Sequence, residues 1–339
     1  MKAGRLESIG GFFVREAEKP VPGPDELLVR VEAAGICGTD RHLFHGEFPC
    51  RPPVTLGHEF SGIVESAGAD VKHFRPGMRV TGDPNIHCGG CPQCRRGRVN
   101  LCENLTAIGI HRDGGFAEYV LVPQAQAHEL PLTLPPEHGA FCEPLACCLH
   151  GVDMAGITPG SSVLVLGGGV IGMLVVQLAR LAGATTVVLS TRQASRRKLA
   201  EEIGATATHD AGTGAGLVEP GGLLPGGADV VIECAGVAET VRHAPKLARN
   251  GGTVVILGVL PQGEEVAFEP FDLLFREVKI LTSFLNPFTH GRAAALIASG
   301  AITVDPLVSR RIGLDELPDA VANPPRPGEV KVLVMPGAR

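Results

Sequence analysis

Val163-Leu164-Val165-Leu166-Gly167-Gly168-Gly169-Val170-Ile171-Gly172 is the stretch whose reading decides the fold. Its four apolar residues suit a strand buried on both faces. The glycines then interrupt any regular element. Beyond them Leu174, Val175, Leu178 and Leu181 recur at helical spacing, so a helix follows the turn. Gly-x-Gly-x-x-Gly alone is a weak signal. Between a strand and an amphipathic helix it becomes a dinucleotide fingerprint. Gly167 makes the tight turn, Gly169 lets a pyrophosphate approach, and Gly172 lets the helix pack on the sheet. Val170 and Ile171 open that helix, whose N-terminus stabilises phosphate charge.

Outward from this turn the pattern repeats. Strand-like runs at 162–166, 186–190, 229–235 and 253–259 alternate with helical runs at 170–181, 195–203 and 237–248. Such alternation predicts βαβ units on a doubly wound parallel sheet, an α/β domain spanning 148–285. Residues 1–147 read mainly as β structure, with short runs at 27–32, 60–66, 79–81 and 117–122 between Pro and Gly turns. The end, 286–339, carries a helix at 291–299 and an apolar strand at 329–335 but no second βαβ series, so it returns to the first domain.

The second strand of a dinucleotide fold should be followed by an acid that binds the ribose if NAD is the cofactor. Here the chain reads Ser190-Thr191-Arg192-Gln193-Ala194-Ser195-Arg196-Arg197. Thr191 stands in place of the acid. Nothing then repels a 2′-phosphate, and Arg192 and Arg197 are candidates to grip one. NADP is therefore expected rather than NAD, the alternative being that these arginines form only a solvated face. Cys234 and Gly258 end later strands and are expected along the nicotinamide half.

Composition bounds the rest. The chain has 339 residues, 44% apolar and 19% charged, enough for two cores. A net charge of −6 argues against nucleic acid as a partner. No signal-peptide pattern opens the sequence, and the apolar run at 163–179 is broken by glycines, so no membrane span is expected. Ten cysteines without a secretion signal point to a reducing, cytoplasmic setting and to metal binding rather than disulfides.

Cys88, Cys91, Cys94 and Cys102 stand as C-x2-C-x2-C-x7-C, with Gly and Pro between them. Four thiolates on one loop suit a closed, structural zinc site, with an iron–sulfur cluster as the rival. A second concentration of chemistry lies at Gly35-Ile36-Cys37-Gly38-Thr39-Asp40-Arg41-His42, between an apolar strand and what reads as a loop. A thiolate can hold a metal there, and a nearby hydroxyl and imidazole can pass a proton outwards. His58-Glu59 and Glu143 add an imidazole and two carboxylates. Cys37, His58 and one Glu would leave a fourth position open, as catalytic zinc requires. Cys147 and Cys148 read as packing where a strand meets the second domain.

With GICGTDRH at 35–42, GHEFSG at 57–62, the four cysteines, EPLA at 143–146 and the glycine turn at 167–172, the chain resembles the zinc-containing medium-chain dehydrogenases. The resemblance is to the sorbitol (polyol) and threonine dehydrogenase branch of the alcohol dehydrogenase superfamily. It implies a GroES-like β-rich catalytic domain, 1–147 and 286–339, with a structural zinc lobe at about 86–104, beside a Rossmann NADP-binding domain. By the same resemblance Cys37 and His58 ligate catalytic zinc, Glu59 and Glu143 share the remaining coordination in an order left open, and Asp40 fixes His58. Thr39 takes the alcohol proton, His42 relays it, and Lys331 grips the pyrophosphate. The implied substrate is a small-molecule secondary alcohol, a polyol or sugar derivative. Threonine, butanediol, a simple secondary alcohol, or a catalytically silent NADP-binding scaffold are the alternatives. Leu43, Phe44, Phe48, Ile110, His111, Phe284, Asn286 and Phe288 are the pocket candidates, and a homodimer or homotetramer is expected.

Overall fold

The computed structural model describes residues 1–214 and 216–337. They divide into two compact units, Met1–Ala146 with the segment that begins at Asn286, and Cys147–Leu285.

The first unit is built on a seven-stranded sheet. In spatial order its main path runs Ala127–Leu130, Arg79–Gly82, Glu59–Ala67, Glu26–Gly35, Lys331–Val334, Val308–Ile312, with Tyr119–Pro123 also paired to Glu26–Gly35. Leu27, Val29 and Val31 of the central strand pack with Phe60, Val64, Val80 and Phe116 in one core. The register matters for function. Gly35 lies opposite Glu59 on one side and opposite Leu333 on the other, so three distant segments meet at one end of the sheet. A Cβ at Gly35 would run into the ends of the Glu59 and Lys331 side chains, so glycine there leaves room for their ion pair. The short ladder Asn85–Ile86 with Thr106–Ala107 closes the neck of the four-cysteine loop.

The second unit is a six-stranded sheet, Ala207–His209, Thr186–Ser190, Ser162–Leu166, Ala228–Glu233, Ala248–Ile256, Lys279–Thr282 in spatial order, parallel throughout. The chain enters at the centre, builds outward to one edge, and returns to build the other. This is the doubly wound Rossmann order, and its switch point falls beside Ser162–Leu166. Val163, Leu164 and Val165 are fully buried, as strands covered on both faces must be.

The edges depart from the sequence reading. Ala207–His209 has three residues, too few to show a period. Lys279–Thr282 and Val308–Ile312 are exposed or half-buried along most of their length, so neither carries an apolar run. The stretch 35–42, expected to lead from a strand into a loop, instead carries most of the helix Gly38–His45. Cys147 and Cys148 lie inside the helix Cys142–Ala155, not at a strand end. Pro144 masks that helix in the sequence but sits in its first turn, where no helical amide partner is needed.

Candidate active site

Two segments of the first unit bring their donors together. Cys37 caps the helix Gly38–His45 with extended backbone, and Asp40 in the first turn accepts a hydrogen bond from the Cys37 amide at 2.8 Å. His58 follows Gly57, which holds the left-handed conformation at φ +95°, and Glu59 opens its strand. The Cys37 sulfur, a His58 ring nitrogen and a Glu59 carboxylate oxygen all lie within 4.8 Å of one another. The Thr39 hydroxyl is 3.7 Å from the same sulfur. Glu143, in the first turn of Cys142–Ala155, is buried nearby but is not part of that trio.

The trio fits a zinc ion. Soft thiolate, borderline imidazole and hard carboxylate together match the catalytic donor set. His58 Nδ1 faces Asp40 Oδ1 at 3.5 Å, and both atoms are buried without a hydrogen-bond partner. Burial opposes positive charge on His58, but Asp40 and then Cys37 outweigh it and hold its pKa well above the ordinary value. The surroundings thus attract a cation. Asp40 is also placed to fix the ring, as second carboxylates behind a metal-bound histidine do.

Lys331 departs from its expected role. Its ammonium is 1% exposed, forms an ion pair with Glu59 and donates to the Ile36 carbonyl at 3.1 Å. Burial works against its charge, while Glu59, Cys37 and Glu143 raise its pKa. Lys331 is therefore a counter-ion inside the carboxylate and thiol cluster, already engaged and not a free grip for a pyrophosphate. His42 Nδ1 lies 2.6 Å from Glu47 Oε2, both partly exposed. Since a carboxylate only accepts, Nδ1 is the donor and Nε2 is left for proton exchange. Glu47 escaped the sequence reading because it lies past the left-handed Gly46 that ends the helix. Leu43 is fully buried in the core and Asn286 is 2% exposed and bonded to Asn85, so neither lines a pocket.

The four cysteine sulfurs lie within 4.8 Å of one another. Cys91 and Cys102 sulfurs are 4.0 Å apart, too far for a disulfide. A tetrahedron of Zn–S bonds of about 2.3 Å has edges of about 3.8 Å, so one zinc fits. Backbone amides aim at the sulfurs: Cys88 donates to Cys102, Cys91 to Cys88, Cys94 to Cys91 and Asn104 to Cys102, at 3.3–3.5 Å. Amides of Gly90 and Cys91 push the Cys88 thiol down to about 6, which favours the thiolate a metal needs.

In the second unit Gly167 takes φ +109°, and a Cβ at Gly172 would strike the Gly167 carbonyl. Gly169 precedes the helix Val170–Leu181 with open space beside it. The first amides of that helix, at Val170 and Ile171, are the donors an anion would meet. Thr191 is buried beside Gly168, and Arg192 is exposed. Arg197 turns inward instead. It donates to the carbonyls of Thr191 and Arg192, both at 2.9 Å, and pairs with Asp210 at 2.9 Å. It shapes the turn rather than offering itself to a ligand. Gly258 packs on the Gly236 backbone and its amide donates to the Glu233 carbonyl at 2.9 Å. Cys234 follows Ala228–Glu233 and its amide donates to the Leu166 carbonyl at 2.8 Å. Sequence reading missed Glu233. Its carboxylate is fully buried and accepts from the amides of Ala235 and Gly236 and the hydroxyl of Thr240 at 2.7–3.0 Å, fixing the loop after the strand.

A Rossmann sheet with its glycine turn, a mixed-donor metal cluster and a four-thiol lobe define the class: a metal-dependent, dinucleotide-linked oxidoreductase. Comparison with known proteins makes it specific. The alcohol dehydrogenase GroES-like domain matches residues 23–132, and the zinc-binding dehydrogenase family matches residues 170–298. The chain is 32% identical to D-arabinitol dehydrogenase 1 of Uromyces fabae, over 99% of this chain and 97% of that protein. It is 34% identical to a sorbitol dehydrogenase of Halalkalibacterium halodurans, over 96% of each. A solved structure from Sinorhizobium meliloti 1021, described as a zinc-binding dehydrogenase bound to NADP, matches with TM-score 0.98 and 70% identity, covering 99% of both chains. The chain belongs to the zinc-type medium-chain dehydrogenases, in the polyol and threonine dehydrogenase branch.

Proposed function

We propose that this chain transfers hydride between a secondary alcohol, of a polyol or sugar derivative, and NADP, at a zinc held by Cys37, His58 and a carboxylate. The observation that carries this is the convergence of sulfur, nitrogen and carboxylate oxygen within 4.8 Å, beside the Thr39 hydroxyl. Glu59 supplies the carboxylate within reach, and Glu143 is the second candidate. Zinc, when bound, lowers the pKa of a hydroxyl held against it, so an alcohol can lose its proton near neutral pH. The Thr39 hydroxyl takes that proton as it gives up its own to the relay. His42, three residues on and on the same helical face, carries it towards solvent through Nε2 while Glu47 holds the ring by Nδ1. The four-cysteine site is closed and structural.

The glycine turn and the first amides of Val170–Leu181 seat the pyrophosphate. Thr191 and Arg192 favour NADP: a carboxylate is missing where it would repel the 2′-phosphate, and the Arg192 guanidinium is exposed. The NADP held by the 70% identical protein supports the same choice. Among the described residues no helix is long and apolar enough to cross a membrane. A cytoplasmic homodimer or homotetramer is our reading. Phe271, Leu274 and Phe275 stand 65–72% exposed on the second unit, whose edge strand Lys279–Thr282 is also open, and both features suit self-association.

The test is a panel of polyols, sugar alcohols, threonine, diols and simple secondary alcohols, followed by NADPH or NADH absorbance. Turnover on a polyol with NADP preferred at least tenfold in kcat/KM is the expected result. Preference for NAD overturns the cofactor reading. Turnover only on threonine or a simple alcohol overturns the substrate class, and no turnover with zinc bound overturns the enzyme.

A further inference from the structure

Behind the donor trio lies a chain of buried polar side chains that the chemistry above does not use. Thr81 is fully buried, His290 is 1% exposed and Asn286 is 2% exposed. The Thr81 hydroxyl donates to the Phe60 carbonyl at 3.0 Å, and its oxygen lies 3.3 Å from His290 Nε2. A hydroxyl has one proton, and the Phe60 carbonyl takes it. His290 must then donate through Nε2–H, which leaves Nδ1 bare. Asn286 Nδ2 faces Nδ1 at 3.5 Å and also donates to Asp83 Oδ1 at 3.3 Å. Asn286 Oδ1 accepts from Asn85 at 2.6 Å. Donors and acceptors match along the whole path, provided that His290 is neutral. Burial, and then the stacked His128 at 4.9 Å, hold His290 well below its ordinary pKa, in agreement.

The two ends of this path explain its use. Phe60 directly follows Glu59, so the Thr81 hydroxyl pins the peptide unit one residue beyond a donor-trio residue. Thr81 also lies against the side chain of Cys142, the residue before Glu143. At the far end Asn85 lies in the short ladder that closes the neck of the four-cysteine lobe. The path is thus anchored in rigid β structure and ends on the two segments that carry the carboxylates.

We infer that Thr81, His290 and Asn286 are positioning residues that hold the Glu59 and Glu143 segments in place for the catalytic metal. The inference rests on the zinc reading of the Cys37, His58 and Glu59 cluster. None of the three touches the reacting atoms. They act through Phe60 and Cys142, as polar groups behind a metal shell do. Burial makes the arrangement exacting, because a missing partner leaves a buried polar group unpaired.

The test is metal affinity rather than turnover. Zinc binding is measured by chelator competition, and the visible spectrum is recorded after cobalt replaces the catalytic zinc, in wild type, Thr81→Val, Thr81→Ser, His290→Leu and His290→Gln. Thr81→Val and His290→Leu should weaken the catalytic site about 10–100-fold and alter the cobalt bands, the range set by other second-layer partners. The four-cysteine zinc should stay. Thr81→Ser and His290→Gln, which retain a donor, should recover most of the loss. Wild-type affinity and spectrum in a folded Thr81→Val or His290→Leu overturn the inference. Equal losses in Thr81→Val and Thr81→Ser overturn it too, since a hydroxyl would then be irrelevant. If Thr81→Val fails to fold, the His290 pair decides. A wild-type chain that binds only the four-cysteine zinc would instead sink the zinc reading itself.

Discussion

The two donor clusters of the first unit contrast in how the chain builds them. The four cysteines lie within fifteen residues, on a loop whose turns and amides aim every sulfur inward. Their closure leaves no open position; backbone amides push the Cys88 and Cys91 thiols down, while burial pushes the Cys94 thiol up to about 12. Cys37, His58 and Glu59 come from segments joined by sheet register, with Glu143 more distant still. Their chemistry is mixed, and Lys331 sits among them as a built-in cation. A locally built site can be read from spacing and serves stability. A site assembled by register depends on the whole unit and can be tuned for chemistry.

The contrast is broken most strongly by removing one ligand from each cluster. Cys37→Ala should lose one zinc per chain, retain the other, and reduce turnover by at least about a thousandfold, because the metal's activation of the hydroxyl goes with it. Cys94→Ser should also lose one zinc, yet keep measurable turnover and show its damage as a lower melting temperature. Zinc content, steady-state rates and thermal melts on the two variants check this. Equal loss of activity with equal stability in both would erase the distinction.

A smaller effect separates binding from chemistry within the open cluster. Thr39→Val should keep both zincs and lower kcat by about 10²–10⁴, the usual share of general acid–base catalysis, while Thr39→Ser stays active. Near-normal kcat in Thr39→Val would remove the hydroxyl from the proton path. The smallest expected effect lies in the second unit, between two neighbouring arginines. Arg192→Ala should raise the KM for NADP about tenfold or more and leave KM for NAD nearly unchanged, since it removes a charged contact to the 2′-phosphate. Arg197→Ala should lower the melting temperature and affect both cofactors alike, because its guanidinium serves two carbonyls and Asp210. Identical cofactor discrimination in both variants would reverse these assignments.

What the sequence discloses follows the same division. The centre of the Rossmann sheet is legible because buried parallel strands leave apolar runs, as at Val163 to Leu166, and because the glycine turn has steric demands. Edge strands are not legible, since Val308–Ile312 and Lys279–Thr282 show one side to solvent and lose the pattern. Four cysteines on one loop announce a metal by spacing. The grouping of Cys37, His58 and a Glu is suggested by donor chemistry and strengthened by family resemblance, but local pattern does not single out Glu59 as the carboxylate of the trio. Lys331 illustrates the limit. Its strand pairs beside Glu26–Gly35, and only that pairing reveals that its ammonium is engaged by Glu59. Arg197 and Glu47 escaped for a similar reason, as each finds its partner across the end of a helix or a turn.

The most direct measurement is zinc K-edge X-ray absorption on Cys94→Ser, which leaves a single zinc to be seen. One sulfur at about 2.3 Å with nitrogen and oxygen neighbours at about 2.0–2.2 Å is the expected shell. A shell made of sulfur alone, or no zinc at all in a folded chain, would contradict the claim that Cys37, His58 and a carboxylate hold the ion on which the chemistry depends.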